Sequence, residues 1–240
     1  MKRIVTGCAL AGLGLALAAG PVESQDMQQK IAAAKQAAAK NQQALRAYTW
    51  IEKTEILMKG EVKNTKLESC RYGPDGKVQK TPLSEPAEKQ EDTPRGPKAR
   101  MKAQAKAKVV EKKTGELKED MEAAGALVHQ YLPPSPDKIQ AAQAAGKITV
   151  TPGASTTALR IADYLKAGDS LVLTLDSAAK GMQQINVDTW KDDPSDKVTL
   201  NVQMQSLPDG TDYAGNIVLA VPSSHIEVHI TNSNYQKLAQ

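Results

Sequence analysis

Val198, Leu200, Val202 and Met204 alternate with Thr199, Asn201, Gln203 and Gln205. A period of two puts the apolar side chains on one face of an extended strand and the polar ones on the other. The pattern recurs along the last third of the chain. Leu171, Leu173 and Leu175 share one side of 170–175, and Ile185 and Val187 alternate with Gln184, Asn186 and Asp188. Ile226, Val228 and Ile230 alternate with His225, Glu227 and His229. Turn signals lie between these runs at Lys166-Ala167-Gly168-Asp169, Ala179-Lys180-Gly181, Asp192-Asp193-Pro194, Pro208-Asp209-Gly210 and Pro222-Ser223-Ser224. Turns spaced about 10–15 residues apart predict an antiparallel meander with one dry face. A dry face repeated over many strands has to be covered.

Three amphipathic segments are available to cover it. Residues 26–46 are rich in Ala, Gln and Lys, all good helix formers, with Met27, Ile31, Ala34, Ala38 and Leu45 as a thin apolar stripe. Glu116 to Leu132 predicts a second helix, with Leu117, Met121, Ala124, Val128, Tyr131 and Leu132 on one side and Pro133-Pro134 at its end. Ser135 is a suitable N-cap for a third, short helix over 136–145 that begins at Pro136 and stops at Gly146. Between the first and second helices, Arg46 to Leu83 predicts a three-strand meander. Its turns are Lys59-Gly60 and Gly73-Pro74-Asp75-Gly76. The fold class expected is therefore α+β, with an N-terminal helix and two central helices on the apolar face of an antiparallel sheet.

Residues 84–113 have a different character. Pro86, Pro94 and Pro97 interrupt regular structure, and Arg95 to Lys113 holds eight Lys or Arg against one Glu. Little apolar surface is available there to offset ordering entropy, so a flexible basic insertion is expected. Residues 25–120 sum to a net charge of about +7 and 121–240 to about −4. Lys98, Arg100, Lys102, Lys106 and Lys108 would meet an anionic membrane or envelope surface. No aromatic side chains interleave with them, and a nucleic-acid partner is not expected.

At the front, Lys2 and Arg3 precede an uncharged apolar stretch from Ile4 to Ala19, then Gly20, Pro21 and a polar start at Glu23-Ser24-Gln25. That order is the signature of a secretory signal peptide. Cleavage fits after Ala18 or after Ser24; the second is favoured, giving a signal peptide over 1–24. About 216 residues then remain, read as a single curved-sheet domain over 25–240 and delivered to the periplasm or beyond. Val5-Thr6-Gly7-Cys8 superficially fits a lipidation site, but only four residues separate Cys8 from Arg3. Cys8 leaves with the signal peptide, so Cys70 has no partner for an internal disulfide and is expected half-buried on a strand.

Catalytic and metal chemistry find little support. His225, Glu227 and His229 share one face of a strand, without the helical i, i+4 spacing of a zinc-protease motif. Asp188, Asp192, Asp193 and Asp196 crowd one loop, without the ligand order of a calcium-binding EF-hand. There is no G-x-S-x-G segment, and His129, the third histidine, falls on the flank of a helix. Neither an enzyme, a cofactor nor a metal is expected.

The order of elements, with Ala44-Leu45-Arg46-Ala47-Tyr48-Thr49-Trp50 leading a helix into a strand and the hairpin Arg71-Tyr72-Gly73-Pro74-Asp75-Gly76-Lys77-Val78, resembles the LolA/LolB-like lipoprotein-carrier superfamily of Gram-negative periplasms. Gly168 to Tyr235 also resembles the C-terminal part of uncharacterised secreted bacterial proteins. The first resemblance implies a strongly curved, half-barrel-like sheet with helices in its hollow and acyl chains bound there. In this chain Leu171, Leu173, Leu200, Val202, Met204, Ile226 and Val228 would line that hollow, unless they are ordinary core beneath a helix. Two functions are therefore expected of an exported protein: binding a lipid or acylated protein in an apolar concavity, or acting as a structural or interaction module of the envelope without a small ligand. Cavity volume discriminates between them.

Overall fold

The computed structural model describes residues 36–83, 115, 117–176 and 181–238. Residues 1–24 and 84–113, expected from the sequence to be a signal peptide and a basic insertion, lie outside the described residues, as do Lys98, Arg100, Lys102, Lys106 and Lys108. The chain divides into two compact units, Met1–Ala37 and Ala38–Gln240. Residues 36 and 37 of the first are helical. The second begins in helix α1, which runs to 45, and carries the whole sheet.

Three strands follow α1: β1 (Tyr48–Met58), β2 (Glu61–Tyr72) and β3 (Val78–Pro82). These are the three strands expected from the sequence. Lys59 and Gly60, at φ 54° and 78°, make the tight left-handed turn between β1 and β2. Helix α2 is described over 117–128 and ends four residues before the sequence predicts. Its last turn tightens, with the Gln130 N–H donating to Leu127 O and the Tyr131 N–H to Val128 O. The peptide between Leu132 and Pro133 is cis. Helix α3 (Pro136–Ala144) starts at the expected proline and is closed by Gly146 at φ 67°. The Ser135 side chain makes no capping bond.

The remaining strands are β4 (Ile148–Pro152), β5 (Thr156–Ala162), β6 (Ser170–Asp176), β7 (Met182–Trp190), β8 (Lys197–Ser206), β9 (Asp212–Val221) and β10 (Ile226–Lys237). All ten strands form one antiparallel sheet in the order β3-β2-β1-β10-β9-β8-β7-β6-β5-β4. The sheet is curved and open, and the fold class is α+β as expected. Its two meanders join where β1 pairs with β10, from Tyr48 opposite Lys237 to Met58 opposite Ile226. Consecutive strands β3 and β4 consequently lie at opposite edges, and both α2 and α3 belong to the connection between them.

Register sets the two faces. Leu171, Val187, Leu200, Leu219 and Val228 pair in succession across β6 to β10, and so do Leu173, Ile185, Val202, Ile217 and Ile230. These two rows make the dry face. Between them on the other side run Val172, Asn186, Asn201, Val218 and His229.

Candidate functional site

Most of the dry face is packed, while Ile217, Leu219 and Ile230 on β9 and β10 are half-buried against the same core. Ala124 and Val128 from α2, Tyr131 just after it and Ala142 from α3 pack on Ile161, Leu171, Leu173, Ile185, Val187 and their neighbours in one cluster. Of the seven residues expected to line an acyl site, six are buried in it, from 0 % exposed at Leu171 to 9 % at Val228. Met204 is half-buried against the same cluster. The structure thus brings all seven to one face, in contact with a core that also includes residues of the two central helices. Each fully buried aliphatic side chain of this kind contributes about 1.5–3 kcal/mol.

Polar contacts hold both ends of α2 and the start of α3. At one end, Lys191 Nζ donates to Asp120 Oδ1 at 2.8 Å, and Ser224 Oγ donates to Asp120 Oδ2 at 2.5 Å. These contacts keep the Asp120 carboxyl below the usual range, and Asp120, as the largest cause, raises Lys191. At the other end the Tyr131 hydroxyl donates to Asp169 Oδ2 at 2.5 Å and shares a second hydrogen bond with Thr189 Oγ1 at 2.7 Å. Burial, and then the Asp169 contact, push the Tyr131 phenol upward. Asp169 Oδ2 also accepts from the Leu165 and Lys166 N–H groups at 3.0 and 2.9 Å. Asp169 is 2 % exposed, and its Oδ1 has no described partner. The Ser135 N–H donates to Tyr164 Oη at 2.7 Å, anchoring the start of α3.

A second, partly buried group lies at the ends of strands β1, β2, β9 and β10. Five of the eight aromatic residues meet there. Trp50 stacks on Tyr235 with centroids 5.6 Å apart and lies 5.4 Å from Tyr72. Tyr235 also contacts Tyr48 and Tyr213 at 6.2 and 4.2 Å. The Tyr48 hydroxyl donates to Asp209 Oδ2 at 2.5 Å, and Lys237 Nζ sits 3.0 Å from the same oxygen. Those contacts hold the Asp209 carboxyl well below its usual range. The spacing of 48, 50, 72, 213 and 235 carries no local periodicity, so sequence reasoning missed this group; the scarcity of aromatics elsewhere was the only signal.

Cys70 lies opposite Trp50 and is fully buried, rather than half-buried as expected. Burial, and then the nearby Glu52 carboxylate, push its thiol up to about 11. Glu52 itself is 8 % exposed and is paired with Lys80 across the sheet. A thiol in these surroundings is a packing residue and not a nucleophile.

The clusters weighed as metal ligands separate. His229 Nε2 lies 2.9 Å from Glu227 Oε2, while His225, at φ 52°, sits in the turn before β10 beside a depression of ≈ 320 Å³ lined also by Lys59 and Gly60. Asp193 Oδ1 accepts from the Ser195 N–H at 2.8 Å, Asp196 pairs with Lys191 at 3.4 Å, and Asp188 points to the opposite face from the core. Among the described residues no group of three or more His, Cys, Asp or Glu is placed to hold a metal ion.

The polar face holds the larger depression, ≈ 370 Å³, lined by Arg160, Val172, Asn186, Asp188, Thr199 and Asn201 among others. Asn201 Nδ2 donates to Asn186 Oδ1 at 2.5 Å, and Gln184 Nε2 donates to the same oxygen at 3.2 Å. Asn216 Nδ2 reaches Gln203 Oε1 at 3.4 Å. Arg160, Asp188 and Gln203 are exposed. Of these residues only Asp188 was weighed from the sequence, as part of an acidic loop; Asn186, Thr199, Asn201 and Gln203 read there as the wet half of the alternation.

No protein-family model and no curated protein matches the chain. Among solved structures it is similar to a DUF1329 family protein from Desulfovibrio piger ATCC 29098, with a TM-score of 0.39 and 12% identity. That likeness covers 86% of this chain and 92% of the other.

Proposed function

We propose that this protein is an exported, non-catalytic interaction module of the cell envelope whose contact surface is the polar face of its sheet. What carries the reading is the packing of the expected lining residues. Leu171, Leu173, Leu200, Val202, Ile226 and Val228 are each at most 9 % exposed in a core shared with α2 and α3, so they are engaged in packing rather than presented to a ligand. Export rests on the charged, apolar and small-residue order of positions 2–24. The basic residues Lys98, Arg100, Lys102, Lys106 and Lys108 supply a second, salt-sensitive attraction to anionic envelope surfaces.

The experiment is fractionation of cells followed by native mass spectrometry and lipid extraction of the protein purified from the envelope. The expected result is a processed chain in the envelope fraction with no stoichiometric lipid. A bound acyl species would overturn the reading and make the dry face a carrier site opened by movement of α2 and α3. Cytoplasmic retention of the unprocessed chain would overturn export.

A further inference from the structure

We propose that the depression on the polar face binds an uncharged, polyhydroxylated chain, that is, a neutral glycan. This names the partner class for the contact surface proposed above and rests on that reading.

Three rows of side chains cross β6 to β9 on this face. The middle one is Val172, Asn186, Asn201 and Val218, an amide pair between two small apolar side chains. The flanking rows are Ser170, Asp188, Thr199 and Ala220, and Thr174, Gln184, Gln203 and Asn216. Four strands at about 4.8 Å spacing give a run of about 14 Å, enough for several sugar rings. The depression of ≈ 370 Å³ lies within the size range of small-ligand sites, about 300–1,000 Å³.

The chemistry selects the ligand. A side-chain amide has a carbonyl acceptor and an NH₂ donor in one plane, and a sugar hydroxyl both donates and accepts. The bond between Asn201 and Asn186 uses one amide group of each, leaving the Asn186 NH₂ and the Asn201 carbonyl without a described partner. Exchanging the two atoms of either amide still leaves unspent hydrogen-bonding capacity. Val172 and Val218 offer C–H contact on either side.

Charge argues against a polyanionic partner. These three rows contain one ionisable group, Asp188, and Arg160 on β5 lines the same depression, so the formal charge of its lining is zero. A polyanion such as nucleic acid or an anionic lipid surface requires clustered Lys and Arg.

The test is calorimetric titration of the purified protein with cellohexaose, chitohexaose and maltohexaose, repeated with Asn186→Ala, Asn201→Ala and the isosteric Asn201→Asp. Thermal melts establish that each variant is folded. Saturable binding of at least one hexasaccharide is expected, insensitive to salt, and weakened about tenfold by each folded variant. If no neutral hexasaccharide binds at millimolar concentration, the glycan proposal is overturned. Binding that survives all three substitutions, or that collapses with added salt, overturns it as well. Retention of wild-type protein on isolated envelopes is measured in parallel. Retention without glycan binding sinks the glycan alone, and loss of both sinks the interaction-module reading with it.

Discussion

Tyr131 and Asp169, 38 residues apart, are joined at 2.5 Å by a hydrogen bond from the phenol to the carboxylate, with both side chains buried. Tyr131 follows α2, whereas Asp169 immediately precedes β6, so this contact ties a helix to the sheet it covers. The same carboxylate orders the turn before β6 through the Leu165 and Lys166 N–H groups.

Tyr131→Phe keeps the ring and deletes the hydroxyl, leaving Thr189 Oγ1 and Asp169 each one partner short. A loss of about 1–3 kcal/mol is expected, read as a drop in melting temperature of several degrees. Asp169→Ala removes three hydrogen bonds at once and should melt lower still. A melt for Asp169→Ala at or above that of Tyr131→Phe would show that the turn is not held through this carboxylate.

Leu171→Ala empties a fully buried position between β5, β7 and the covering helices. The expected cost is about 2–5 kcal/mol by denaturant titration. Met204→Ala, at a half-buried position beyond the register shift in β8, should cost clearly less. Equal and small costs at both sites would indicate a loose interior with room for a ligand.

Cys70 should resist a thiol-directed disulfide reagent at pH 8 in the native protein and react at once after denaturation. Burial pushes the folded thiol up to about 11, from the ordinary value of 9.0. Between those values the unfolded chain has released this proton and the folded chain still holds it. Its contribution is therefore intact below about pH 9 and falls as pH rises toward 11. The stability difference between wild type and Cys70→Ala should narrow across that window, as followed by urea titration at successive pH values.

Asp120→Asn removes the charge that Lys191 and Ser224 hold in place. Because the contacts of Lys191 and Ser224 hold the folded Asp120 carboxyl below its ordinary value of 3.8, its contribution is present above that pH and is lost as the pH falls through the folded value. The variant should be less stable than wild type near neutrality by about 1 kcal/mol, and the gap should close in acid. A gap that stays constant into strong acid would assign the effect to packing instead of charge.

Much of this fold was legible because its determinants are local. Val198, Leu200, Val202 and Met204 read as a strand with one dry face, and Ala124, Val128 and Tyr131 read as the buried stripe of a helix; all are buried or half-buried in the core, though Tyr131 lies in the turn that follows the helix. β9 had no clean signature, because Ile217, Val218, Leu219 and Ala220 are apolar on both faces and the β8 partner shifts register between Gln203 and Met204. β4 and β5 are short and rich in threonine, and neither stands out as a strand. The covered face was legible as an apolar surface, but whether it was hollow or filled depends on how α2 and α3 dock, which no local pattern encodes. The amide pair Asn186–Asn201 depends on the register between two strands, so it emerges only when β7 lies beside β8.

Pairing β1 with β10 also has a consequence for timing. Translation delivers Tyr48–Met58 early and Ile226–Lys237 last of all the strands. A nascent chain halted before Ile226 can hold only two separate ribbons, β1 to β3 and β4 to β9, each with a raw edge where β10 belongs. Joining Met58 to Ile226 then closes a loop that encloses most of the molecule, a slow step by the usual dependence of folding rate on sequence separation. The final strand is thus the keystone of the sheet, and until it arrives the newborn protein exposes two adhesive borders instead of none at its centre.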